Sequence, residues 1–371
     1  MRKSYVFFFF FLIIFSRTYA QSCEGYDVIL VAGQSNTHYG YPLEPEKDIV
    51  NSKVYALKRY DGKDYRIDKA TPSLDFWTRA ADRNSFVITF ANLYAENMLA
   101  HSNRKVLIIP CGYAGTAIES WVKGTTLYND AISRTNYVLD NIPGSKVVAI
   151  LWHQGEYNAG PTNGYQQALD KLIADMRNDI KQADPEGLKF ILGGLVPFWA
   201  NASPSRVETN TIIKNTPSRV VNTGFADPTI PFVISKPNDY FDDIHFDSNG
   251  LREMGKRYYN EYIRLGLSVN SGGSQNRTAE IANDSKTDKE GQTDVEIKYF
   301  PNPTTGLVNI QSPEEIVSVE VYSFFGRKVL EDNAFRGKNS TIDLSKIEKG
   351  SYLIHSITNT GKKNVFTVNK N

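Results

Sequence analysis

Apolar and polar positions follow three different rules along this chain. Between 25 and 266, short continuous apolar runs at 28–32, 106–110, 147–152 and 190–196 alternate with segments at 86–101, 129–141 and 165–183, where apolar residues recur every three or four positions. A short unbroken apolar run fits a strand buried on both faces, and the longer spacing predicts an amphipathic helix. In the third helical segment, Leu169, Leu172, Ile173, Met176 and Ile180 share one face. Strands alternating with helices predict a parallel sheet covered on both sides, an α/β domain. Between 267 and 294 the pattern vanishes into polar, charge-rich sequence, which predicts a flexible linker. From 295 to 371 apolar residues alternate by two, as at Val308 and Ile310 or Val317, Val319 and Val321, with turn signals between the runs. That pattern predicts a small β-sandwich.

The first 20 residues stand outside these regimes. A basic start (Met1, Arg2, Lys3) precedes an unbroken apolar run at 6–15 and small residues up to Ala20. This predicts a signal peptide at 1–20, cleaved after Ala20, leaving a domain at 21–266. The run is shorter than the roughly 20 residues of a membrane span, so no stable span is expected. Lys and Arg number 42 against 41 Asp and Glu, a balance that argues against nucleic acid as a partner. Export would permit a disulfide between Cys23 and Cys111. None is expected, because these cysteines fall at opposite ends of strands roughly 15–20 Å long, and a bridge needs Cα atoms within about 7 Å.

The chemistry gathers where strands end. Ser35 follows the first apolar run in the turn Gly33, Gln34, Ser35, Asn36. In an open α/β sheet ligands collect outside the carboxyl ends of strands. A serine hydroxyl needs a base to become a nucleophile. Of the histidines, His245 has the surroundings of such a base. Asp242, three residues earlier, can hold one ring nitrogen and leave the other for Ser35. The same loop also reads as a solvated turn, or as a metal clip of Asp242, Asp243, His245 and Asp247. Oxyanion donors are expected in two further loops that follow strands. One contains Gly112 and Gly115; the other contains Gln154 and Glu156.

Four blocks then carry a resemblance: Gly33 to Asn36; Gly115 to Trp121; Trp152, His153, Gln154, Gly155 and Glu156; and Asp242 to His245. Together they resemble the SGNH hydrolases, and within them the branch of sialate O-acetylesterases and family 6 acetylxylan esterases. The resemblance implies a three-layer α/β/α, flavodoxin-like fold and hydrolysis of acetyl esters on carbohydrate, acetylxylan or sialate among them, without metal or cofactor. It implies Ser35 as nucleophile, His245 as base, and Asp242 or Glu156 as the carboxylate that orients it. The Ser35 N–H, Gly115 and Gln154 would form the oxyanion hole. Tyr113 and Ala114 stand where the family often has a glycine pair, which leaves Gly112 as the alternative to Gly115. Asn36 and Tyr157 are expected to bind substrate, with Phe198 and Trp199 as further groove residues. A non-catalytic carbohydrate binder on the same fold is the competing reading. The tail, from Tyr299, Phe300, Pro301, Asn302 and Pro303 through Phe325, Gly326 and Arg327 to Gly350, resembles the C-terminal sorting domain of the type IX secretion system. That implies passage through the periplasm, contact with the secretion machinery, and a secreted or cell-surface location.

Overall fold

A computed structural model describes residues 25–160, 164–181, 187–234, 242–269, 297–323, 328–332, 337–361 and 363–371. The expected signal peptide, Cys23 and the expected linker from 270 onward lie outside the described residues.

In chain order the first part contains strands β1 (Tyr26–Gly33), β2 (Val54–Leu57) and β3 (Ile67–Lys69), helix α1 (Phe86–Asn97), β4 (Lys105–Pro110), α2 (Thr126–Asn141), β5 (Lys146–His153), α3 (Tyr165–Asp179) and β6 (Lys189–Gly193). Three shorter helices follow, α4 (Pro197–Ala200), α5 (Pro204–Lys214) and α6 (Thr216–Arg219), then β7 (Thr223–Ala226) and the long α7 (Ser248–Val269). The sheet order is β3-β2-β4-β1-β5-β6-β7. Every pairing is parallel except β2 with β3. Without the β2–β3 hairpin at its edge, this is the flavodoxin-like order, whose switch point falls between β1 and β5.

The continuous apolar run of β1 has a direct structural reason. Successive side chains of a strand point to opposite faces. Ile29 and Val31 enter a core formed with α1 and α7, whereas Val28, Leu30 and Ala32 enter a second core formed with α2 and α3. The predicted face of α3 is buried throughout, from Leu169 to Ile180. Helix α7 packs closely on α1: a Cβ on Gly255 would stand 2.3 Å from the Phe86 carbonyl oxygen. The rings of Phe86 and Tyr258 stack at 4.2 Å beside that crossing. The helix runs on to Val269, past residue 267, where the linker is expected to begin. Cys111 is a buried free thiol whose pKa burial pushes up to about 12.

The second part comprises β8 (Lys298–Phe300), β9 (Leu307–Ser323), β10 (Lys328–Asp332), β11 (Gly337–Asp343), β12 (Gly350–Thr358) and β13 (Lys363–Lys370). Two of the expected strands prove to be one. Strand β9 is 17 residues long; its first portion pairs with β8 and β11, its second with β10 and β12, all antiparallel. Val308 and Ile310 from one portion share a core with Val319 and Val321 from the other. Among the described residues no helix is long and apolar enough to cross a membrane.

Candidate active site

Strand β1 ends at Gly33, whose φ of +121° would strain any other residue. A Cβ there would lie 2.1 Å from the His153 carbonyl oxygen. The chain turns against β5 at this point: the Gln34 N–H donates to that same oxygen at 2.8 Å. Residues Ser35–Thr37 form one 3₁₀ turn, closed by the His38 N–H on the Ser35 carbonyl at 2.9 Å. Ser35 is thereby placed at the carboxyl end of β1, beside the switch point. Among the described residues its backbone N–H has no acceptor.

The loop ahead of α7 brings His245 to this turn. Its Nε2 lies 2.8 Å from Ser35 Oγ, and its Nδ1 lies 2.8 and 2.9 Å from the two Asp242 carboxylate oxygens. A carboxylate only accepts, so Nδ1 carries the ring proton and Nε2 is left to accept from Ser35. Asp242 Oδ1 also accepts from the backbone N–H groups of Ile244 and His245 at 3.0 and 3.1 Å. The Asp242 side chain is 53% exposed and that of His245 14%. The Tyr39 ring stacks on His245 at 5.3 Å, and the Arg83 guanidinium lies 4.5 Å from the Tyr39 centroid. No motif in the sequence marks either residue, although Tyr39 stands only four residues after Ser35. Arg252, near the start of α7, anchors the region by gripping Asp48 and Glu44 at 2.8 Å each.

Glu156 sits elsewhere. Buried after β5, its Oε1 accepts from Asn36 Nδ2 at 2.5 Å and lies 3.3 Å from His153 Nε2. Burial works to raise its pKa. The contact with His153 and the Asn36 amide outweigh burial and hold the carboxyl below its ordinary value. Glu156 thus engages His153 and Asn36, while Asp242 is the carboxylate on the His245 ring.

Two sequence expectations differ from this geometry. Asn36, expected to touch substrate, is fully buried. Its Nδ2 also donates to the Ile244 carbonyl at 2.9 Å, and its Oδ1 accepts from the Phe246 N–H at 3.0 Å. Gln154, expected to aim a side-chain N–H at the oxyanion, is fully buried too. Its Nε2 donates to the Thr116 carbonyl at 3.2 Å and to Asn158 Oδ1 at 2.6 Å, while Tyr165 donates to its Oε1 at 3.0 Å. Both of its donors are committed to holding the neighbouring loops. Thr116 lies 38 residues away, and nothing in the local sequence shows that Asn158 and Tyr165 close on the same amide. The two glycines separate by environment: Gly112 is pressed on Thr37, whose Oγ1 would stand 2.2 Å from an added Cβ, whereas Gly115 is exposed with φ +67° and open space around it. Tyr157 is 65% exposed and Phe198 49%. The Tyr157 N–H meets Gln34 Oε1 at 3.3 Å. Among the described residues no group of His, Cys, Asp and Glu is arranged to hold a metal ion.

The chain matches the family model of the carbohydrate esterases described as sialic acid-specific acetylesterases over residues 25–264. Residues 298–368 match the secretion system C-terminal sorting domain. A probable carbohydrate esterase of Arabidopsis thaliana is 31% identical over 96 residues, 25% of this chain and 36% of the relative. A probable 9-O-acetyl-N-acetylneuraminic acid deacetylase of Escherichia coli is 24% identical over 204 residues, 43% of this chain and 63% of the relative. The chain therefore spans less than two thirds of either relative's length. The crystal structure of NanS superposes with a TM-score of 0.57 at 20% identity, covering 67% of this chain and 99% of that one. The Arabidopsis protein's crystal structure gives 0.54 at 20% identity, covering 65% and 99%. At that identity the two structures speak for the fold.

Proposed function

Because the chain belongs to the carbohydrate esterase family of sialic acid-specific acetylesterases and carries a type IX sorting domain, we propose that it is an exported serine esterase removing O-acetyl groups from glycans through Ser35, His245 and Asp242. Family membership makes it a carboxylic-ester hydrolase, and the sorting domain indicates a secreted or cell-surface location. The observation that carries the mechanism is the aligned row Asp242–His245–Ser35, with both links at 2.8 Å.

Ser35 Oγ attacks the acetyl carbonyl as its proton passes to His245 Nε2. Asp242 stabilises the imidazolium and keeps the ring turned toward Ser35. The developing oxyanion is met by the N–H groups of Ser35 and Gly115, each such donor being worth about 3 kcal/mol. Gly112 holds the loop against Thr37. His245 returns its proton to the leaving sugar hydroxyl, and a water then repeats the sequence to release acetate. A carbohydrate binder would have no use for the base, which weighs against the non-catalytic reading.

A sialate ester is favoured over acetylxylan by the match to the family of sialic acid-specific acetylesterases.

The test is acetate release from acetylated sialoglycan, xylan and pectin by the wild type and by Ser35→Ala. The expected result is release by the wild type, highest on the sialoglycan, with the rate of Ser35→Ala lower by ~10³-fold or more while the domain stays folded. An undiminished rate in Ser35→Ala sinks the mechanism. A preference for xylan overturns the sialate assignment alone.

A further inference from the structure

Asn36 is adjacent to the nucleophile in sequence yet has no exposed surface. Its two amide N–H groups go to Glu156 Oε1 at 2.5 Å and to the Ile244 carbonyl at 2.9 Å, and its oxygen accepts from the Phe246 N–H at 3.0 Å. Ile244 and Phe246 flank His245. A single side chain on the nucleophile's turn therefore holds the backbone on both sides of the base. We propose that Asn36 is the positioning residue that sets His245 against Ser35, and that Glu156, backed by His153, acts on the reaction only through Asn36. This rests on the roles given to Ser35 and His245 above.

The division of labour follows from where each group is mounted. Asp242 belongs to the same short loop as His245 and bonds to that loop's own N–H groups. It can fix the rotation of the ring, but it moves with the loop and cannot fix the loop's distance from Ser35. Asn36 can, because it joins the turn after β1 directly to that loop. Its bond to Glu156 is charge-assisted and short, the stronger class of hydrogen bond. Glu156 is in turn seated after β5, where His153 is itself held: Tyr258 donates to the Trp152 carbonyl at 2.7 Å, and its oxygen lies 3.2 Å from His153 Nδ1. Three loops from three different stretches of chain thus converge on one buried amide. A displacement of about 1 Å in a reacting group is enough to cost ~10²-fold in rate.

The experiment is a double-mutant cycle on p-nitrophenyl acetate, with kcat and KM resolved, in the full chain. Asn36→Ala is expected to lower kcat by ~10²-fold with KM changed less than about twofold. The downfield proton resonance of the His245 Nδ1–H, present in the wild type, broadens or disappears although Asp242 is intact. Glu156→Ala shows the same loss, Glu156→Gln keeps an acceptor for Asn36 and loses less, and the double Ala variant is no worse than Asn36→Ala. Should Asn36→Ala fail to fold, Asn36→Leu, of similar size and without polar atoms, takes its place with the same expected fall in kcat. The proposal is overturned if kcat survives, if the loss is confined to KM as for a substrate contact, or if Glu156→Ala adds its own loss on top of Asn36→Ala. Ser35→Ala and Asp242→Asn, run alongside, separate this result from the underlying reading. If either keeps full activity, the triad reading fails; if both are crippled while Asn36→Ala is fully active, only the positioning role fails.

Discussion

His38 shows how closely the site is packed. It is buried with its ring stacked on Phe76 at 4.2 Å, and its Nδ1 lies 2.7 Å from Thr37 Oγ1. Thr37 gives its own proton to the Gln34 carbonyl, so His38 Nδ1 is the donor in that contact. Burial, against the opposing pull of the Thr78 backbone and with the nearby charge of Arg83 acting in the same direction, brings the His38 pKa from 6.5 down to about 3. The folded chain therefore keeps His38 neutral across a range in which the unfolded chain takes up a proton. Between those two values the unfolded state binds more protons, so stability falls as the pH falls, by about 1.4 kcal/mol per pH unit from this residue. Urea unfolding from about pH 7 to about pH 4 checks this. The stability difference between wild type and His38→Gln is expected to shrink steadily on acidification, and a difference constant with pH would contradict it. The same residue illustrates what a sequence hides: five histidines are visible in it, but which are buried and which face Ser35 depends on strands that meet only in the fold.

At the level of elements, the turn from β1 into the Ser35 segment depends on one missing side chain. Gly33→Ala adds a Cβ where the His153 carbonyl oxygen already stands, and does so at a positive φ. The expected cost is about 2 kcal/mol or more, measured as a lower Tm, together with a loss of kcat as the β1–β5 register opens beside Ser35. Unchanged stability and rate would show that the turn can relax. The strands β1, β4, β5 and β6 are legible in the sequence because each is buried on two faces and leaves an unbroken apolar run. Helix α3 is legible because one face is apolar and the rest polar. Helix α7 is less plain: three of the six apolar residues on its buried face, Leu251, Met254, Tyr258, Tyr259, Tyr262 and Leu265, are tyrosines, and Gly255, a weak helix former, sits among them where α1 comes close. Strands β2 and β7 are too short for any period to register. The four-segment site can be assembled from block order. The role of Asn36 and Gln154 as internal braces, in place of ligand contacts, cannot: the partners of Asn36 lie more than 100 residues away, and those of Gln154 are set by how three loops fold together.

On the scale of the whole molecule, the catalytic part and the tail draw their cores from separate stretches of chain. Among the described residues, the cores around the large sheet contain nothing beyond Leu265, and the tail's core runs from Val308 to Val368. A chain ending at Val269 is therefore expected to keep the esterase kcat and the Tm of the catalytic part, while export from cells is lost. A large drop in Tm would reveal a dependence between the parts that these cores do not display. Inside the tail the opposite holds. Strand β9 is a member of both halves at once, so neither half can peel away and leave the other standing. Its resistance to a protease is consequently all or nothing. Digestion time courses are expected to pass from intact tail to small peptides, with no lasting fragment that ends between residues 307 and 323.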